Sequence, residues 1–69
     1  MEEKRKKDIA ARLRSLRGEK TQREVADAVD VSTMAISQYE NGERVPSDPI
    51  KIKLAKYYGT TVENLFFAE

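Results

Sequence analysis

Three glycines and four hydroxyl side chains cut this 69-residue chain into short segments, each suited to one helix. Thr21, Ser32, Ser47 and Thr61 each precede an apolar-periodic stretch. A side-chain oxygen there accepts from an amide that the first helical turn leaves unpaired. Gly18, Gly42 and Gly59 follow three of the stretches. Glycine enters the left-handed conformation that ends many helices at no steric cost. The alternation of β-branched residues that marks strands is absent. This punctuation predicts an all-α chain of five helices, with no repeat or linker.

The first helix is expected from about residue 3 to 17, with Ile9, Leu13 and Leu16 on its inner stripe. The second starts after the Thr21 cap, buries Val25, Ala26 and Val29, and ends at a turn on Asp30. The third runs from the Ser32 cap to about Asn41. Residues 44–47 read as loop. The fourth opens on Ser47-Asp48-Pro49, a capping side chain followed by a first-turn proline, with Ile52, Leu54, Ala55 and Tyr58 inward. A short fifth helix spans 61–67 and contains Val62, Leu65 and Phe66.

A chain of this length forms one small domain, taken as residues 1–69, and leaves about 40% of its unfolded surface exposed. Such domains are often braced by disulfides, a metal or a second subunit. With no cysteine there is no disulfide or thiolate ligand. With no histidine the usual general base and commonest zinc ligand are missing. No gathered carboxylate pair stands in for them, so neither an enzyme nor a metal, cofactor or small-molecule ligand is expected. No apolar run is long enough for a membrane span, and the N-terminal charges are not followed by the apolar core of a secretory signal. A cytoplasmic protein is the expectation.

Net charge is only +1, but it is unevenly spread. Residues 1–23 carry nine Lys or Arg against four acids, whereas residues 24–50 carry one Arg against six acids. Such asymmetry suits a domain with one side toward a polyanion.

Residues 22–41 meet the physical demands of a helix-turn-helix. Two helices crossing steeply over a tight turn need a small residue at closest approach, and Ala26 stands there. Val25, Val29, Val31, Ile36 and Tyr39 supply the apolar contacts that hold the angle. The turn needs a residue that accepts positive φ, a place taken by Asp30. On the second helix of the pair, with Thr33 at zero, Ser37, Met34 and Gln38 lie at about 40°, 100° and 140°. Ala35, Tyr39 and Ile36 lie at about 200°, 240° and 300°. The first arc carries no charge, and Glu40 lies beside it. An uncharged arc of small polar groups, one amide and one thioether suits a major-groove floor, where donors, acceptors and methyl groups are read. Gln38 suits paired hydrogen bonds to adenine, and Thr33 and Met34 suit thymine methyls. The expected base contacts are Thr33, Met34, Ser37 and Gln38.

Thr21-Gln22, Val25-Ala26, Val31-Ser32, Ile36-Ser37 and Glu40-Asn41-Gly42 resemble the Xre family of phage-repressor-like proteins, and Pro46-Ser47 and Leu54-Ala55-Lys56 to Gly59 continue the likeness over nearly the whole chain. The resemblance implies the lambda-repressor-like five-helix fold, binding of double-stranded DNA in transcription regulation, and a homodimer. It implies a backbone contact from Gln22, a second phosphate clamp from Asn41, Gly42 and Arg44, and an ion pair between Glu40 and Arg17. Arg23 and Ser32 complete the expected phosphate set. In two places the chain departs from the family pattern. The connection from Arg17 to Thr21 is about two residues short of the usual loop, so that Lys20 stands where an apolar staple is expected. Asp30 takes the place of the usual turn glycine.

Lys4, Arg5, Lys6 and Lys7 could form a mobile arm toward the DNA backbone or simply a solvated helix start. Tyr57, Val62, Phe66 and Phe67 gather apolar area at the C-terminal end, and are the expected dimer contacts. Two copies would then place recognition helices in successive major grooves on a near-palindromic operator. A repressor follows from this reading, controlled through its own level, through a partner such as a protein antagonist or co-regulator, or through competition at overlapping sites. An activator or an antitoxin with the same domain, or a protein-interaction module that has lost DNA, are the alternatives.

Overall fold

The computed structural model describes residues 2–67, with side chains from Arg5 onward. Its elements are α1 (Glu2–Arg17), α2 (Gln22–Val29), α3 (Thr33–Glu40), α4 (Asp48–Tyr57) and a last π-helical turn, α5 (Glu63–Phe67). No strand occurs among the described residues. Among the described residues, no helix is long and apolar enough to cross a membrane.

The helix starts follow from local chemistry. Thr21 Oγ1 accepts from the Glu24 amide at 3.1 Å, Ser32 Oγ from Ala35 at 3.0 Å, and Thr61 Oγ1 from Asn64 at 3.0 Å. Each bond satisfies an amide with no intrahelical partner. Ser47 departs from expectation: its side chain makes no capping bond. Pro49 lies in the first turn of α4, where a missing N–H is no loss. Asp30 closes α2 in the left-handed region, φ 59° and ψ 50°, and donates its N–H to Ala26.

One core joins all five elements. Ile9 and Leu13 meet Val25, Ala26 and Val29, Ile36 and Tyr39, Leu54 and Ala55, and Leu65 and Phe66, and Ala10 is buried as well. Three expectations about its membership are corrected. Leu16 is 40% exposed, and Ala10 takes the inner place on α1. Ile52 is 48% exposed, because α4 turns Leu54 and Ala55 inward and carries Ile52 around to the outer side. Phe66, expected at a dimer contact, is 1% exposed. The terminal turn drives two neighbouring side chains, Leu65 and Phe66, into the core and leaves Phe67 half outside. Burying a ring of that size stabilises by about 3 kcal/mol.

Two cations secure this corner. The Arg12 guanidinium donates to the Leu65 carbonyl at 3.3 Å, bridging α1 and α5. Lys51 of α4 lays its stem inward, with Nζ 5.6 Å from the Phe66 ring centre and 4.9 Å from that of Phe67. A cation over a ring face is attracted by its quadrupole.

Candidate nucleic-acid interface

The pair α2 and α3 stands on a turn of residues 30–32. Ala26 lies at the crossing, fully buried, and its carbonyl accepts from both Asp30 and Val31, the latter at 3.0 Å. A larger side chain would push the helices apart. Val25, Val29 and Ile36 fill the angle between them, with Val31 half-buried at the turn.

This crossing turns one arc of α3 outward. Thr33 is exposed, Met34 is 70% exposed, and Ser37 and Gln38 are half-buried beside them. All four residues named from helical spacing therefore share one accessible face. Ser37 Oγ accepts from Asn41 Nδ2 at 3.3 Å and keeps its own hydrogen for donation. Asn41 thus lies on the same face, one turn after Ser37.

Glu40 is where the structure differs most from the sequence reading. It is 2% exposed. Its carboxylate accepts from Arg17 Nε at 2.8 and 3.1 Å and from Gln22 Nε2 at 3.1 Å. Arg14 donates to its backbone carbonyl. The ion pair implied by family resemblance is thus sunk at the meeting of α1, α2 and α3. Hydrogen bonding to Glu40 holds the Arg17 guanidinium above its ordinary range. The neighbouring Tyr58 hydroxyl is pushed up to about 12, first by burial and then by the Glu40 charge. Helical spacing alone placed Glu40 at the edge of the arc. The available signal was an acid on that edge facing a helix with several arginines.

The short connection before α2 is closed by Gly18 at φ 55° and by a bond from Lys20 N–H to the Arg17 carbonyl at 3.0 Å. Arg17 in turn donates to the Lys20 carbonyl at 2.7 Å. Lys20, standing in the staple position, places Nζ 4.9 Å from the Tyr57 ring centre. The attraction of this cation for the ring ties the connection to α4.

The expected backbone-contact residues spread around α3. Gln22 is half-buried and bonded to Glu40. Arg23 is exposed and 3.9 Å from Asp27, and Ser32 is occupied as a cap acceptor. Asn41 and Arg44 are exposed after α3, around Gly42 at φ 73°. Arg5, Lys6 and Lys7 lie within α1; Lys4 has its side chain outside the described residues. A Cβ on Gly42 would stand 3.6 Å from the Lys6 carbonyl oxygen, so the basic start of α1 lies directly against the loop after α3.

Of the expected dimer contacts, Phe67 is 50% exposed, and Tyr57 and Val62 are half-buried. Tyr57 has Lys20 over its face and Tyr58 edge-on, with ring centres 5.1 Å apart. Phe66 is spent in the core. Ile52 and Leu16 add exposed apolar area that the sequence reading had turned inward.

A family profile described as helix-turn-helix matches residues 9–65. No curated protein and no solved structure matches the chain.

Proposed function

The chain belongs to the helix-turn-helix family of Xre and lambda-repressor-like DNA-binding transcription regulators, and we propose that within it this protein is a repressor that binds a near-palindromic operator as a homodimer. One observation carries the reading of the site: the accessible arc of α3 bears Thr33, Met34, Ser37 and Gln38, while the only acid of that helix is buried behind it. An uncharged arc costs little to desolvate and offers the groups that distinguish base pairs in the major groove.

In this reading Gln38 pairs with adenine, Thr33 and Met34 pack on thymine methyls, and Ser37 donates its hydroxyl. Gln22, Arg23, Ser32, Asn41, Gly42 and Arg44 hold the sugar-phosphate backbone and set the register, and α3 supplies the sequence choice. The second copy sits on Phe67, Tyr57 and Val62, joined by Ile52. Its recognition helix then enters the next major groove, about 34 Å away. Repression follows when the occupied operator blocks a promoter. This role is favoured over activation because the reading then requires no further contact surface.

Selection of bound sequences from a random duplex library tests the proposal. Enrichment of a two-fold-symmetric site supports specific binding and the dimer together. A single half-site keeps the DNA contact and removes the dimer. No enrichment at low salt overturns the recognition arc in favour of a protein-interaction module.

A further inference from the structure

Gln22 is given to the DNA backbone in the proposed function, yet its amide is already engaged inside the protein. Nε2 donates to Glu40 Oε1 at 3.1 Å. A carboxylate only accepts hydrogen bonds, so it fixes which end of the amide faces it. Turning the amide over would set the Gln22 oxygen against the Glu40 oxygen. Nε2 carries a second hydrogen, and Gln22 is half-buried, so that donor remains for an acceptor outside.

A bare carboxylate would be a poor neighbour for a phosphate. Arg17 removes that objection: its Nε lies 2.8 and 3.1 Å from the two Glu40 oxygens, so the pair carries no net charge. Arg14 holds the Glu40 carbonyl from the same helix as Arg17. The acceptor that faces Gln22 is therefore fixed by two arginines of α1, with little of it open to water.

We infer that Glu40, neutralised by Arg17, is a positioning residue for DNA binding: it pins the Gln22 amide in advance so that one N–H faces the phosphate. A free glutamine side chain loses much rotamer freedom when it is immobilised at an interface. Here that loss is taken on folding. This inference rests on Gln22 being a backbone contact.

The test replaces the pair with apolar residues of similar volume, Arg17→Met with Glu40→Leu. Such exchanges leave stability roughly unchanged when no charge is stranded. Binding is measured to the selected duplex with single phosphates replaced by uncharged methylphosphonates. In the wild type, one neutralised phosphate per half-site should lose its effect when Gln22→Ala is introduced. In the paired variant, affinity should fall about fivefold, from the restored rotamer freedom of Gln22. Adding Gln22→Ala to it should cost far less than in the wild type, where the loss is about tenfold or more. The effect of the phosphate held by Arg44 should be unchanged. If Gln22→Ala costs as much in the paired variant as in the wild type, the positioning role is overturned and the Gln22 contact stands. If no phosphate depends on Gln22, the contact itself falls, and the inference with it.

Should the paired variant not fold, the wild type decides by nuclear magnetic resonance. The two Gln22 side-chain amide protons should be well separated in the free protein, and the selected duplex should move one of them. Equal movement of both means that the amide leaves Glu40 on binding, which overturns the inference.

Discussion

Arg17 and Glu40, 23 residues apart, meet with Nε 2.8 Å from Oε2 at the junction of three helices. The guanidinium retains some solvent contact, whereas the carboxylate has almost none. Such a pair contributes little relative to an apolar substitute, but losing one partner strands the other charge. Arg17→Met alone should therefore destabilise the fold by about 2–3 kcal/mol, less than for a wholly buried pair. Urea unfolding reads this directly. A loss below about 0.5 kcal/mol would mean that water reaches Glu40 freely.

Tyr58 gives the pH dependence. Its hydroxyl is pushed up to about 12 in the folded protein, against 10.0 for the free side chain. The folded state thus holds the proton more tightly. The contribution is complete below pH 10, and is lost as pH rises toward 12. Tyr58→Phe should remove that part of the alkaline decline in melting temperature. Identical alkaline profiles for wild type and variant would contradict the assignment.

Asp30 adopts a left-handed backbone that favours glycine. Asp30→Gly should leave stability unchanged or raise it by up to about 1 kcal/mol, since relief of strain is offset by greater freedom of the unfolded chain. Asp30→Val should lower it by more than about 1 kcal/mol, because a β-branched residue is poorly accommodated there. Thermal melts of the two variants should move apart, and parallel shifts would refute the strain.

Phe66 and Phe67 are neighbours with opposite roles. Phe66→Ala should cost about 3–5 kcal/mol by opening a cavity under α4. Phe67→Ala should change monomer stability by about 0.5 kcal/mol. On the proposed dimer surface it should instead weaken self-association. Light scattering together with denaturation separates the two effects; a dimer untouched by Phe67→Ala moves the interface elsewhere.

Gln38 and Arg44 should fail in different ways. Gln38→Ala should relax preference at one symmetric pair of operator positions, at a cost of about 1–3 kcal/mol against the preferred base. Arg44→Ala should weaken all duplexes alike and lower the slope of log affinity against log salt by about one. Loss of base preference from Arg44→Ala would exchange their roles.

Much of the fold is legible in the sequence. Thr21, Ser32 and Thr61 cap as read, and Asp30 turns left-handed as read, because each depends on atoms within four residues. The outward arc of α3 was legible for a similar reason, since helical spacing places Thr33, Met34, Ser37 and Gln38 together whatever lies behind. Ser47 stands at the N-cap of α4 as its sequence context indicates, but its side chain makes no capping bond, a detail that context does not decide.

Periodicity is silent about which apolar or charged groups meet across the chain. Leu16 and Ile52 sit on apolar stripes of their own helices, yet packing leaves them exposed, and the π-helical turn at the C-terminal end draws Phe66 inside. Glu40 shows the same limit for charge. The sequence by itself determined the helices, their ends and the outward arc of α3, since backbone hydrogen bonding and capping are local. Only the tertiary structure decided that Glu40 is buried between Arg17 and Gln22, because a carboxylate can leave water only where donors from distant segments converge on it.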